Sequence, residues 1–160
     1  MASKSQSALE YLLIIAVALG LIIPTTYLFF KFTVKSNDDI IDSQIIRIGN
    51  SIIDTSETVF FSGESAKIVL EFNMPDKVLE VKILRSRELV FKVLSESGER
   101  EFVFFPPSNI PITSDDPGID CSDGVQCGFP GLAASGLKKV KVEAFLDASD
   151  NTKVMISETV

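Results

Sequence analysis

Residues 11–30 read YLLIIAVALGLIIPTTYLFF, twenty positions without a charged side chain. A helix of that length is about 30 Å long, the thickness of a bilayer's hydrocarbon core. In a chain of 160 residues such a run is not an ordinary core helix. It separates a short N-terminal flank from a polar, acidic remainder. Two positions inside it are expected to kink or locally loosen the helix. Pro24 supplies no backbone N–H and its ring crowds the preceding turn, and Gly20 has no side chain to stiffen the backbone.

The next stretch, KFTVKSNDDIIDSQIIRIGNSIIDTS (residues 31–56), keeps a helical period. Ile41, Ile45, Ile48 and Ile52 recur at spacings of four, three and four and form one apolar stripe. Asp38, Asp39 and Asp42 are expected on a solvated face. From residue 57 the period changes to two. Ala66, Ile68, Leu70 and Phe72 alternate with Lys67, Val69 and Glu71. Leu79, Val81 and Ile83 alternate with Glu80 and Lys82. The same pattern holds for Leu89, Phe91 and Val93, for Phe102 and Phe104, for Val140, Val142 and Ala144, and for Val154 and Ile156. These read as half-buried antiparallel strands joined by turns at SGES, NMPDK, SESGE and ASDNT. Phe60, Phe61, Phe72, Phe91, Phe102, Phe104 and Phe105 are expected in the core. Pro106 to Gly136 is rich in Pro, Gly, Ser and Asp and reads as a loop without strands. The expected fold is α+β: a long kinked N-terminal helix, first apolar and then amphipathic, packed on a C-terminal antiparallel β-sheet head.

Composition narrows function. Fifteen Lys and Arg against 22 Asp and Glu leave a net charge of −7, which argues against nucleic acid as a partner. Histidine is absent, so Ser-His-Asp and Cys-His catalysis and His-ligated metal sites are excluded. The two cysteines are too few for a structural zinc site. No catalytic constellation, cofactor or metal is expected. Asp115, Asp116, Asp120 and Asp123 share one loop, but their spacing does not match a calcium-binding loop, and a solvated acidic loop is expected.

The N-terminal flank, MASKSQSALE, is unusual for a secretory signal. It has a basic residue, Lys4, but no A-x-A-like cleavage site follows the apolar run. Glu10 stands directly before that run, where a carboxylate needs a partner, and no basic residue lies within helical reach on its C-terminal side. The stretch Ser-Gln-Ser-Ala-Leu-Glu-Tyr-Leu, residues 5–12, resembles the class III signal peptide junction of archaeal type IV pilin precursors. The resemblance covers about residues 4 to 23. It implies a leader over residues 1–5, cleaved between Ser5 and Gln6 by a prepilin peptidase on the cytoplasmic side. The helix, residues 6–56, then stays on the mature chain, transmembrane before assembly and in the filament core after it. Residues 57–160 form a β-rich extracellular head.

Physical reasoning agrees with that expectation. Cleavage would create an α-amino group at Gln6, which a displaced neighbouring copy can bring to Glu10. A repeated offset contact does not close, so it builds a helical filament. Tyr11, Leu12, Leu13, Ile14, Ile15, Val17, Leu19, Leu21, Ile22 and Ile23 would then exchange lipid for helices of other copies. The implied partners are the chain itself, the peptidase, and a membrane assembly platform with its ATPase. In an exported head Cys121 and Cys127 are expected to form a disulfide. Lys4 on one side of the run faces Lys31 and Lys35 on the other, so charge counting leaves orientation open, and the resemblance implies a cytoplasmic N-terminus. Two other readings remain: a single-pass surface protein with a ligand-binding β head, and a minor subunit that primes a filament.

Overall fold

The computed structural model describes residues 2–95, 98–107, 110–114, 126–147 and 150–159; the side chains of residues 2–8, 34 and 126 are excluded. Helix α1 spans Ala2–Ser62 and is followed, among the described residues, by eight strands. These are β1 (Lys67–Met74), β2 (Val78–Leu84), β3 (Glu88–Ser95), β4 (Gly98–Phe104), β5 (Ile112–Ser114), β6 (Gln126–Gly128), β7 (Gly136–Leu146) and β8 (Thr152–Thr159). This is the α+β architecture that the change of period implies. The chain divides into two compact units, residues 1–39 and 40–160. The first is helix alone.

The second unit holds residues 40–62 of α1 and two four-stranded sheets, ordered β1-β7-β8-β5 and β4-β3-β2-β6. All strand pairs are antiparallel except β5 with β8, which is parallel. The isoleucine stripe lies in the core as its spacing implies: Ile41, Ile45, Ile48 and Ile52 are all buried. They join Val81, Ile83, Leu89, Phe91 and Val93 from one sheet and Val140, Val142, Val154 and Ile156 from the other in one cluster. Each buried aliphatic side chain contributes about 1.5–3 kcal/mol relative to exposure.

Several local expectations are corrected. The helix runs to Ser62, so residues 57–62 are not the start of the head's strands. It stops at Gly63, whose positive φ of 90° suits a helix C-terminus and whose N–H donates to the Phe60 carbonyl at 3.3 Å. Phe60 and Phe61 are therefore helical. Phe60 is half-buried, whereas Phe61 is exposed, as is Phe105 beyond the end of β4. Leu79 is also exposed. Val78 pairs with Val93 and Glu80 with Lys92, which makes Leu79 the extra residue of a β-bulge and breaks the alternation. The segment 106–136 is not strandless: β5 pairs with β8, and β6 pairs with β2. Three-residue strands are too short to display a period.

The acidic face is corrected too. Asp42 is not simply solvated. Its Oδ2 accepts a 2.6 Å hydrogen bond from Arg100 Nη1 on β4, and both side chains are partly buried. Asp38 is buried as well, while Asp39 is exposed.

Gly49 explains how α1 packs so closely on β4. A Cβ at this position would overlap the Phe104 ring, which itself stands edge-on to Phe91 at 5.7 Å. Gly20, by contrast, has open space around it. Gly49→Ala is therefore expected to destabilise the head by about 1–3 kcal/mol through overpacking. Gly20→Ala should leave head stability unchanged. Thermal unfolding of the two variants, followed by the β-sheet circular dichroism signal, checks both.

Candidate membrane and assembly segment

The residues singled out in the N-terminal third all lie along α1. Ser5 and Gln6 fall within its first turns, and their side chains lie outside those described. Glu10 is exposed. From residue 9 to residue 33 every position is exposed, and the large apolar side chains range from 47% for Ile15 to 73% for Phe32. Tyr11, Leu12, Leu13, Ile14, Val17, Leu19, Leu21, Ile22 and Ile23 all belong to this set. The segment is long and apolar enough to cross a membrane. Its apolar character runs round the whole helix, so no single face is marked for a core of its own.

Pro24 lies inside the continuous helix. It cannot donate to the Gly20 carbonyl, which matters where water is excluded and every backbone group needs an internal partner. The next residue bonds to other carbonyls of the same turn. The Thr25 hydroxyl lies 2.7 Å from the Leu21 carbonyl and 2.9 Å from that of Ile22, and donates to this pair. Thr33 donates in the same way to the Phe29 carbonyl at 2.9 Å. Both threonines thereby hide a polar group against the backbone of an apolar helix.

Glu10, Gly20 and Pro24 are not brought together. They are strung along one axis, with Glu10 and Pro24 about 21 Å apart at 1.5 Å per residue. The positions one turn from Glu10 on its C-terminal side are Leu13 and Ile14, so its own helix offers it no countercharge there.

In the second unit, Cys127 sits on β6, buried and disulfide-bonded. Its expected partner Cys121 lies outside the described residues, as do Asp115, Asp116, Asp120 and Asp123. Among the described residues no group of His, Cys, Asp and Glu is arranged to hold a metal. The sequence reasoning passed over a shallow polar groove of about 410 Å³ on α1, lined by Arg47, Asn50, Ser51, Asp54, Thr55 and Thr58. Its residues follow helical spacing, but a polar stripe on an amphipathic helix is indistinguishable in sequence from a plain solvated face.

Comparison with family models, with curated proteins and with solved structures gives no match.

The disulfide makes a measurable claim. It ties down a three-residue edge strand through a short covalent loop, for which chain-entropy arguments give about 2 kcal/mol. Reduction, or Cys127→Ser, should lower the denaturant midpoint of the head accordingly. An unchanged midpoint in the presence of a reductant would show that β6 holds its place without the bond.

Proposed function

We propose that this chain is the precursor of a structural subunit of an archaeal type IV pilus-like filament. The observation that carries the reading is the helix of residues 11–30, exposed on every face, with Glu10 at its N-terminal end. A helix that is apolar all round needs cover from lipid or from other helices. A carboxylate placed at its start is a liability for a simple anchor. It becomes useful where another copy supplies a cation.

In this reading the leader, residues 1–5, is removed between Ser5 and Gln6 on the cytoplasmic side, and the helix remains in the membrane. The new amine of one copy then meets Glu10 of its neighbour, and the helices leave lipid to form the dry interior of the filament. Pro24 and Gly20 allow the helix to adjust during that transfer. The heads face outward, and the filament serves adhesion or surface attachment. The chain has no reaction of its own; it is acted on by a peptidase and by an ATP-driven assembly platform.

The first test is the N-terminus and intact mass of the protein recovered from its native cell surface, with the sheared material measured separately. A chain that begins at Gln6, or at its cyclised form, and is concentrated in the sheared fraction is the expected result. A chain that begins at Met1 or Ala2 and stays with the membrane would replace this reading with a single-pass surface protein. Glu10→Ala is expected to leave the head folded and its disulfide formed while sheared filament falls at least tenfold. Wild-type filament yield from this variant would remove Glu10 from assembly.

A further inference from the structure

The C-terminal end of the uncharged run has a chemistry of its own. Tyr27, Lys31 and Lys35 recur every four residues and share one face of α1. The Lys31 ammonium lies 5.7 Å from the centroid of the Tyr27 ring, a cation–π distance. Phe29, Phe30 and Phe32 surround the same turns and are exposed. Lys31 and Lys35 are the only cations between residues 11 and 39, and Asp38 and Asp39 follow them. Charge along the helix thus passes from none, to positive, to negative.

The heights of these groups match the layers of a bilayer. Tyr11 to Phe30 covers about 29 Å at 1.5 Å per residue, against about 30 Å of hydrocarbon. Lys35 stands about 7.5 Å beyond Phe30, within the headgroup layer, and the exposed Asp39 about 13.5 Å beyond, past that layer. Tyrosine prefers the boundary between hydrocarbon and headgroups, and lysine stems lie along apolar surface with the ammonium at phosphate level. We infer that Tyr27, Lys31 and Lys35 form a collar that binds the phosphates of anionic lipid headgroups and fixes the depth of the precursor in the membrane. The collar lies at the opposite end of the span from Glu10. The inference rests on the reading of residues 11–30 as membrane-inserted. It adds a lipid class and a set of residues to that reading.

The chain contains no tryptophan, so one placed by substitution is a unique reporter. The full-length chain is reconstituted into phosphatidylcholine vesicles with and without phosphatidylglycerol. Leu21→Trp reports insertion through quenching by brominated acyl chains, and Phe32→Trp reports depth at the collar. Spin-labelled lipids measure the preference for phosphatidylglycerol over phosphatidylcholine. The expected preference is several-fold, up to roughly fivefold for each lysine at the surface. It should fall to near unity in the Lys31→Gln, Lys35→Gln double variant, and the reporter at Phe32 should change depth. Tyr27→Phe, which keeps the ring, should retain the preference. Quenching at Leu21 without any lipid preference, or a preference that survives the double variant, would overturn the collar and leave the membrane reading intact. Absence of quenching at Leu21 would overturn both. Displacement of the lipid by inorganic phosphate would show that the lysines take free phosphate, and the lipid assignment would fail.

Discussion

A helix that is apolar on every face cannot keep all of its surface in water, and residues 9–33 of α1 are exposed throughout. Each large aliphatic side chain left uncovered forgoes about 1.5–3 kcal/mol. The covering medium must come from outside the chain, either lipid or other apolar helices. The remaining features of this segment can be understood from that constraint. Thr25 hides its hydroxyl against the backbone carbonyls of Leu21 and Ile22. Lysines and aromatic rings gather where the uncharged run ends. Glu10 stands at the edge of the run and not inside it.

The head obeys a different rule. Its buried apolar residues begin at Ile41, and its core closes between the isoleucine stripe and the two sheets. Gly49 lets the Phe104 ring lie directly against the helix backbone, and Arg100 reaches Asp42 from the same strand. One helix therefore has two characters, an amphipathic part that closes a core with the sheets and a uniformly apolar part whose large side chains are all exposed. The switch is written in composition: no charged residue stands from Tyr11 to Phe30, charge returns at Lys31, and the stripe of isoleucines begins ten residues later at Ile41.

Features with a period were legible in the sequence. The stripe at Ile41, Ile45, Ile48 and Ile52 repeats over about three turns, and Val140, Val142 and Ala144 alternate with Lys141 and Glu143, so both could be placed on the core. Features that depend on a single residue or on a distant partner were not. Leu79 breaks its pattern because a bulge shifts the register, which only the pairing with β3 reveals. The Asp42–Arg100 contact joins residues 58 positions apart. Strands β5 and β6 have three residues each and no room for alternation. At the N-terminal segment the run from Ser5 to Leu12 was legible as a motif because its residues are contiguous. A countercharge for Glu10 was not, since its own helix holds none on the following turn.

The sheet order leaves β1 and β4 as long edges, with β5 and β6 as short ones. An open edge is a template for strand addition, the route by which β proteins form amyloid-like aggregates. Lys67 and Glu71 interrupt the apolar character of β1, and Glu99 and Glu101 do the same on β4. Crowded side by side at high local concentration, such heads resist zipping together through their backbones. Any contact between two heads would then fall to side chains, which can choose their partners, and not to amides, which cannot.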